Sequence, residues 1–303
     1  MQFRACFGRA FSRRNAFRLA GSFFLLRRLG AQTDQEEFPK RHLLSFPARD
    51  PRAATGSQFA AAVGNLDPDQ RECAILRQLL RGNIPSFLRK LVPVKLRSKK
   101  AEGPTVSATI FVMPEYLAIG SDEDFLRIPM NLYTARAIAD RFQCVLPTKK
   151  MVDAIYDQSP YRFIPQPMPA GPQMRSTGYY RAHNALITQQ SGDRGIPVGP
   201  LVAGHKKDVV LTNRLAGRPG QIAIYGWHRG EGDPIQPLST VHGARYADYS
   251  HGIRLVSRTA IVNGKTTHID DVLRDSSLAD VLSHEGPLGQ VLDLWARQPA
   301  TEL

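Results

Sequence analysis

The chain has 303 residues, 42% of them hydrophobic and 22% charged, a globular composition long enough for one large domain or two modest ones. Its formal net charge of +13 raises nucleic-acid binding, yet seven of the 40 basic residues fall within positions 1–31, where there is no Asp or Glu. Beyond that segment 33 basic residues face 27 acidic ones, with no long basic run, interleaved aromatics or recognition motif, and nucleic acid is set aside as a partner.

Residues 1–31 run from arginines (Arg4, Arg9, Arg13, Arg14, Arg18) through the apolar stretch Leu19 to Leu26 to Leu29-Gly30-Ala31, the order of an export signal. The stretch Ser12-Arg13-Arg14-Asn15-Ala16-Phe17 resembles a twin-arginine signal, with the aromatic one place late. A Sec-type signal and an Arg-rich transit peptide are the alternatives. An apolar run of eight residues is far short of the about 20 that cross a bilayer, and no later segment is longer. A periplasmic or secreted product without stable membrane insertion is expected. Loss of the signal removes Cys6 and leaves Cys73 and Cys144, which an oxidising compartment would allow to pair.

Residues 32–66 are polar, without sustained period, and read as a flexible arm before a single domain over 67–303. Asp67-Pro68 is a helix start; Cys73, Ile75, Leu76, Leu79 and Leu80 form an apolar face, and Gly82-Asn83 stops it. A short apolar segment over 84–96 and a polar connector over 98–104 follow. Residues 105–119, rich in Val, Ile, Thr, Phe and Tyr and interrupted by Pro114, read as one or two strands closed by Gly120-Ser121-Asp122. Tyr133 to Phe142 has helical spacing, and Thr148 opens a second helix with Val152, Ile155 and Tyr156 inward. Cys144 lies in the corner between them.

Residues 159–177, with five prolines, read as a long irregular loop. Strands follow over 209–212, 222–227 and 253–262, then short helical pieces over 269–282 and a terminal helix over 291–296. This order predicts an α+β fold, a helical amino-terminal half packed on a mainly antiparallel sheet from the carboxyl-terminal half.

Four of the eight histidines fall between 205 and 251, in Gly204-His205-Lys206-Lys207-Asp208, Tyr225-Gly226-Trp227-His228 and the stretch from His242 to Gly252. Histidine exchanges protons near neutrality and binds metals, so convergence of these clusters would make an active site. In one mechanism Cys144 is the nucleophile, His251 its base and Asp248 the orienting carboxylate, with His205 the next proton-handling group. A helical region bearing Cys followed by strands bearing His, together with Asp208-Val209-Val210-Leu211 and Gly220-Gln221-Ile222-Ala223-Ile224-Tyr225-Gly226, resembles the NlpC-type branch of papain-like cell-wall peptidases and amidases. Gln221 stands where that family carries its catalytic His.

In the rival mechanism ligands drawn from His205, Asp208, His228, His242, Asp248 and His251, with His205, His242 and Asp248 foremost, hold a divalent metal such as zinc that activates water. His242 and Asp248 resemble the His-then-Asp order of D-Ala-D-Ala metallopeptidases, with a gap one residue short. A purely structural alternative has Tyr246, Asp248, Tyr249 and Ser250 closing a tight turn through side-chain to backbone bonds. Trp227, Tyr246 and Tyr249 would stack on sugars or fill the core, with His228 and Lys207 as further contacts. There is no Gly-x-Ser-x-Gly elbow, phosphate-cradling loop or dinucleotide fingerprint. Segments such as GNIPSFLRKLVPV, LPTKKMVDAIY, GHKKDVVLTN and YADYSHGIRLV resemble stretches of exported bacterial proteins with which no activity is associated. The expectation is an exported hydrolase of a cell-wall peptide or glycan, or else a non-catalytic exported protein binding carbohydrate or peptide.

Overall fold

The computed structural model describes residues 44–98 and 105–297; the segment 1–31 read as an export signal lies outside them. The fold mixes helices with mainly antiparallel sheets. No helix among the described residues is long and apolar enough to cross a membrane.

The first described elements lie inside the stretch read as a flexible arm. Leu44 and Phe46 are buried, and helix α1 (Gly56–Ala62) buries Phe59 and Ala60 in the same core. Thr55 and Gln58 close its start as a reciprocal capping box, which satisfies amides that the first turn leaves without partners. The domain therefore begins well before residue 67. Helix α2 (Pro68–Leu80) is capped by Asp67 and buries Ile75, Leu76 and Leu79, as the spacing predicts.

The main correction to the expected architecture concerns the strands. Val92–Arg97 forms β1 and Ser107–Val112 forms β2, paired antiparallel along their full length. On its other edge β2 pairs with β12 (Val256–Ser257) and β13 (Thr259–Val262). Strand β5 (Cys144–Val145) continues the sheet beyond β12, and β14 (Lys265–His268) beyond β13. The six-stranded sheet is thus built from both halves of the chain. Ile110, Phe111 and Val112 of β2 are buried, flanked by its sequence neighbour β1 on one edge and by strands from the far end of the sequence on the other.

Strands β3 (Ala118–Gly120) and β4 (Phe125–Arg127) make a small hairpin. Helices α3 (Leu132–Arg141) and α4 (Lys149–Gln158) are capped by Asn131 and Thr148. The proline-rich stretch after them is irregular except for the short strand β6 (Tyr161–Arg162), which pairs in parallel with β7 (Val202–Ala203), and a helical turn over Pro172–Arg175. Helix α5 (Thr177–Asp193) follows, capped by Ser176. A four-stranded sheet runs in the order β10 (Asp233–Ser239), β9 (Ile224–Gly230), β8 (Lys207–Val209) and β11 (His251–Gly252). Its β8–β11 pair is parallel and the others antiparallel. Helices α6 (Ile269–Arg274) and α7 (Gly289–Arg297) end the described chain.

Candidate functional site

The four-stranded sheet sets the histidine clusters, because β8 carries 207–209 at its centre, β9 carries 225–228 beside it and β11 begins at His251 on its other side. Lys207 and His251 are register partners across the β8–β11 pair, so their side chains emerge on the same face. The turn that delivers His251 is closed by Asp248. Its carboxylate accepts hydrogen bonds from the Ser250 amide at 2.8 Å, the Ser250 hydroxyl and the Tyr246 hydroxyl at 3.0 Å. The His251 amide in turn donates to the Asp248 carbonyl at 3.1 Å. The side-chain to backbone closure read as a structural alternative is therefore present, and it is also what places Asp248 beside His251.

His251 is fully buried, its Nε2 lies 4.0 Å from Asp248 Oδ2, and neither ring nitrogen has a hydrogen-bond partner. That separation suits an attractive charge contact but exceeds a hydrogen bond. Burial pulls the imidazole pKa down to about 4; Asp248 opposes this, and Lys207, His242 and Lys206 reinforce it. Burial pushes Asp248 the other way, but His251, the Ser250 bonds and Lys207 leave its carboxyl below the ordinary range. At neutral pH the pair is a neutral imidazole next to a carboxylate. Above it the His242 and Tyr246 rings stack with centroids 4.0 Å apart and planes 11° apart. The Tyr246 ring is 5.7 Å from that of His251, and the Arg175 guanidinium lies 5.4 Å from the Tyr246 ring. His242, Tyr246 and Lys207 are half-buried, and Arg175 is exposed.

His205 does not join this cluster. It turns to Glu115, with Nε2 2.6 Å from Oε1, and Glu115 also pairs with Arg127 at 2.9 Å; all three are buried. Burial alone would raise the Glu115 pKa, but Arg127, His205 and Arg254 hold it far below the usual range. His205 is lowered by burial despite Glu115, so a neutral ring donates to an ionised carboxylate.

His228 points away as well. Its Nε2 is 3.3 Å from Asp153, which also accepts from the Tyr225 hydroxyl at 2.6 Å and from Lys149 at 2.9 Å. The expected convergence of three histidine clusters is thus partial: Lys207, His242, Asp248 and His251 meet, and His205 and His228 serve separate buried networks.

Cys144 is a fully buried free thiol whose Sγ donates to the Phe142 carbonyl, and burial pushes its pKa up to about 12. It lines a cavity with Arg136, Arg258 and Trp295 that contains none of the histidines. A thiol held protonated and apart from the imidazole is no nucleophile for His251. Nor does it pair with Cys73, since Cys144 is a free thiol. The metal set His205, His242 and Asp248 is likewise not assembled: no three His, Cys, Asp or Glu among the described residues are grouped to hold a metal ion.

Trp227 and Tyr249 are core residues. Trp227 is buried within β9 with φ of 60°, and the Tyr249 hydroxyl accepts from the Met168 amide at 2.8 Å. Neither presents a face for sugar stacking.

Sequence reasoning missed Lys206, the neighbour of two residues it singled out. Lys206 is buried, lies 3.1 Å from His183 Nδ1 and donates to the Tyr249 carbonyl. Burial lowers its pKa to about 7. Asp208, read as a possible metal ligand, instead accepts from the Tyr116 hydroxyl at 2.7 Å, faces Arg254 at 3.9 Å and is raised by burial to about 6. The run His205, Lys206, Lys207 and Asp208 leading into β8, four polar residues sent into four environments, was the available signal. Comparison with protein-family models, with curated proteins and with solved structures finds no match for this chain.

Proposed function

We propose that the chain is an exported hydrolase of an amide bond in cell-wall peptide, in which His251 takes a proton from water and Asp248 steadies the imidazolium that results. The observation carrying this reading is the neutral His251 ring with both nitrogens unbonded, 4.0 Å from a carboxylate. A fully buried polar ring without partners costs free energy, and such costs are retained where a group must stay available for proton transfer. Water adds to the amide carbonyl carbon while His251 accepts its proton. The C–N bond then breaks as the proton passes from His251 to the leaving amine. Unliganded sites often hold their catalytic contacts long, and substrate entry requires the Tyr246–His242 ring pair to move aside.

The test is release of new amino groups from purified peptidoglycan. His251→Ala is expected to lower the rate by about 10²–10⁴-fold, and Cys144→Ala to leave it unchanged. Undiminished release by His251→Ala refutes the assignment. The second reading, an exported protein that binds carbohydrate or peptide without cleaving it, is favoured by the cover over His251 and by the half-buried His242–Tyr246 stack. Retention on insoluble peptidoglycan without cleavage, lost in Tyr246→Ala, supports that reading instead.

A further inference from the structure

Two cations border the Asp248–His251 pair without a carboxylate of their own. Lys207 shares the face of β8 and β11 with His251, and its ammonium sits 5.2 Å from the centre of the Trp227 ring. Its charge bears on Asp248, His242 and His251. Arg175, at the end of the helical turn that precedes α5, lies against Tyr246 from another part of the chain. Neither makes an ion pair within 4.0 Å among the described residues. Other arginines here do: Arg127 holds Glu115, Arg229 holds Asp233 and Arg274 holds Asp293. The lone carboxylate of the cluster, Asp248, already accepts three hydrogen bonds. The rim over His251 is therefore net positive, with Lys207 half-buried and Arg175 exposed, and a charge-assisted bond to an anion is stronger than a neutral one.

Resting on the reading of Asp248 and His251 as a hydrolytic pair, we infer that Lys207 and Arg175 bind a substrate carboxylate next to the bond to be cleaved, so that the substrate class is a peptide with a free carboxyl group. A guanidinium offers a planar two-donor fork and an ammonium a point charge, and together they fix a carboxylate from two directions.

The test is calorimetric titration of the whole protein with N-acetyl-dialanine bearing a free carboxyl terminus and with the same peptide as its carboxyl-terminal amide. The acid is expected to bind at least about tenfold more tightly than the amide, and added salt is expected to weaken the acid alone. Lys207→Gln and Arg175→Gln, each checked for an unchanged circular dichroism spectrum, are each expected to remove that preference. Equal affinity for the two peptides, binding of neither, or a preference that survives both substitutions overturns the inference. Preference for the acid with no hydrolysis of either peptide overturns the hydrolytic reading instead and leaves carboxylate recognition standing.

Discussion

An imidazole stripped of water and given no hydrogen-bond partner resists protonation, because the charged form loses hydration that nothing replaces. For His251 the folded-state pKa of about 4 lies below the ordinary histidine value of 6.5, so the unfolded chain binds the proton first as pH falls. Stability contributed by this residue is fully present above about pH 6.5 and is lost as pH drops towards 4, by about 3 kcal/mol at most for a shift of this size. Denaturant unfolding of wild type and His251→Gln at pH 7 and pH 5 is expected to show a steeper acid loss in the wild type; parallel losses contradict the burial argument.

The short-range part of this arrangement was readable, since Asp248 and His251 lie three residues apart in one turn. The partners of His205 and His228 were not. Glu115 is 90 residues from His205 and Asp153 is 75 from His228, and no local spacing announces contacts of that range. The thiol of Cys144 misled for a similar reason: its place between two helices was legible, but its enclosure by strand β12 was not.

At the scale of elements, β11 carries the site because it can lie flat against its neighbours. Gly252 has no side chain where a Cβ would stand 2.6 Å from Tyr116 Cδ1 and 2.8 Å from Lys206 Cβ. Gly252→Ala would push the Tyr116 ring off its bond to Asp208 and is expected to cost about 1–3 kcal/mol, read as a fall in the denaturant midpoint. An unchanged midpoint would mean that the ring has room to give.

The elements that escaped sequence reasoning each hide their period. Helix α5 turns Tyr180, His183, Ile187 and Gln190 inward; half of that face is polar, so an apolar stripe never appears. Strand β10 contains Pro234 and Pro237 and reads as loop, yet it is an edge strand, where a missing amide costs least. The turn between β13 and β14 is Asn263-Gly264, both with positive φ, as a two-residue hairpin requires; that dipeptide was a signal left unused. Helices α2, α3 and α4 were legible because each combines an oxygen-bearing cap with apolar residues every third or fourth place.

Across the whole molecule, buried charges tie the segments that follow β2 to the β3–β4 hairpin and to the four-stranded sheet. Glu115, between β2 and β3, holds Arg127 of β4 and His205 just before β8. Arg254 donates to the carbonyls of Met113 and Val202, each at 2.8 Å, and faces Asp208. Removing one member leaves an uncompensated charge in a dry interior. Glu115→Ala is expected to destabilise the fold by about 3–5 kcal/mol, with lowered thermal midpoint as the readout; a loss below 1 kcal/mol would show that Arg127 finds water. Mixed α+β character was legible from the run of patterns, whereas the interleaving of early and late strands in one sheet was not, because strand order is decided by which apolar faces meet and not by their sequence positions.

These scales converge on one property, a neutral unbonded His251 beside ionised Asp248, and histidine imidazole resonances followed by NMR from pH 8 to pH 4 measure it directly. The expected result is one imidazole, absent from His251→Gln, that remains neutral down to about pH 5 and whose pKa drops further in Asp248→Asn. A His251 signal that titrates near pH 6.5 and ignores Asp248→Asn would contradict the account.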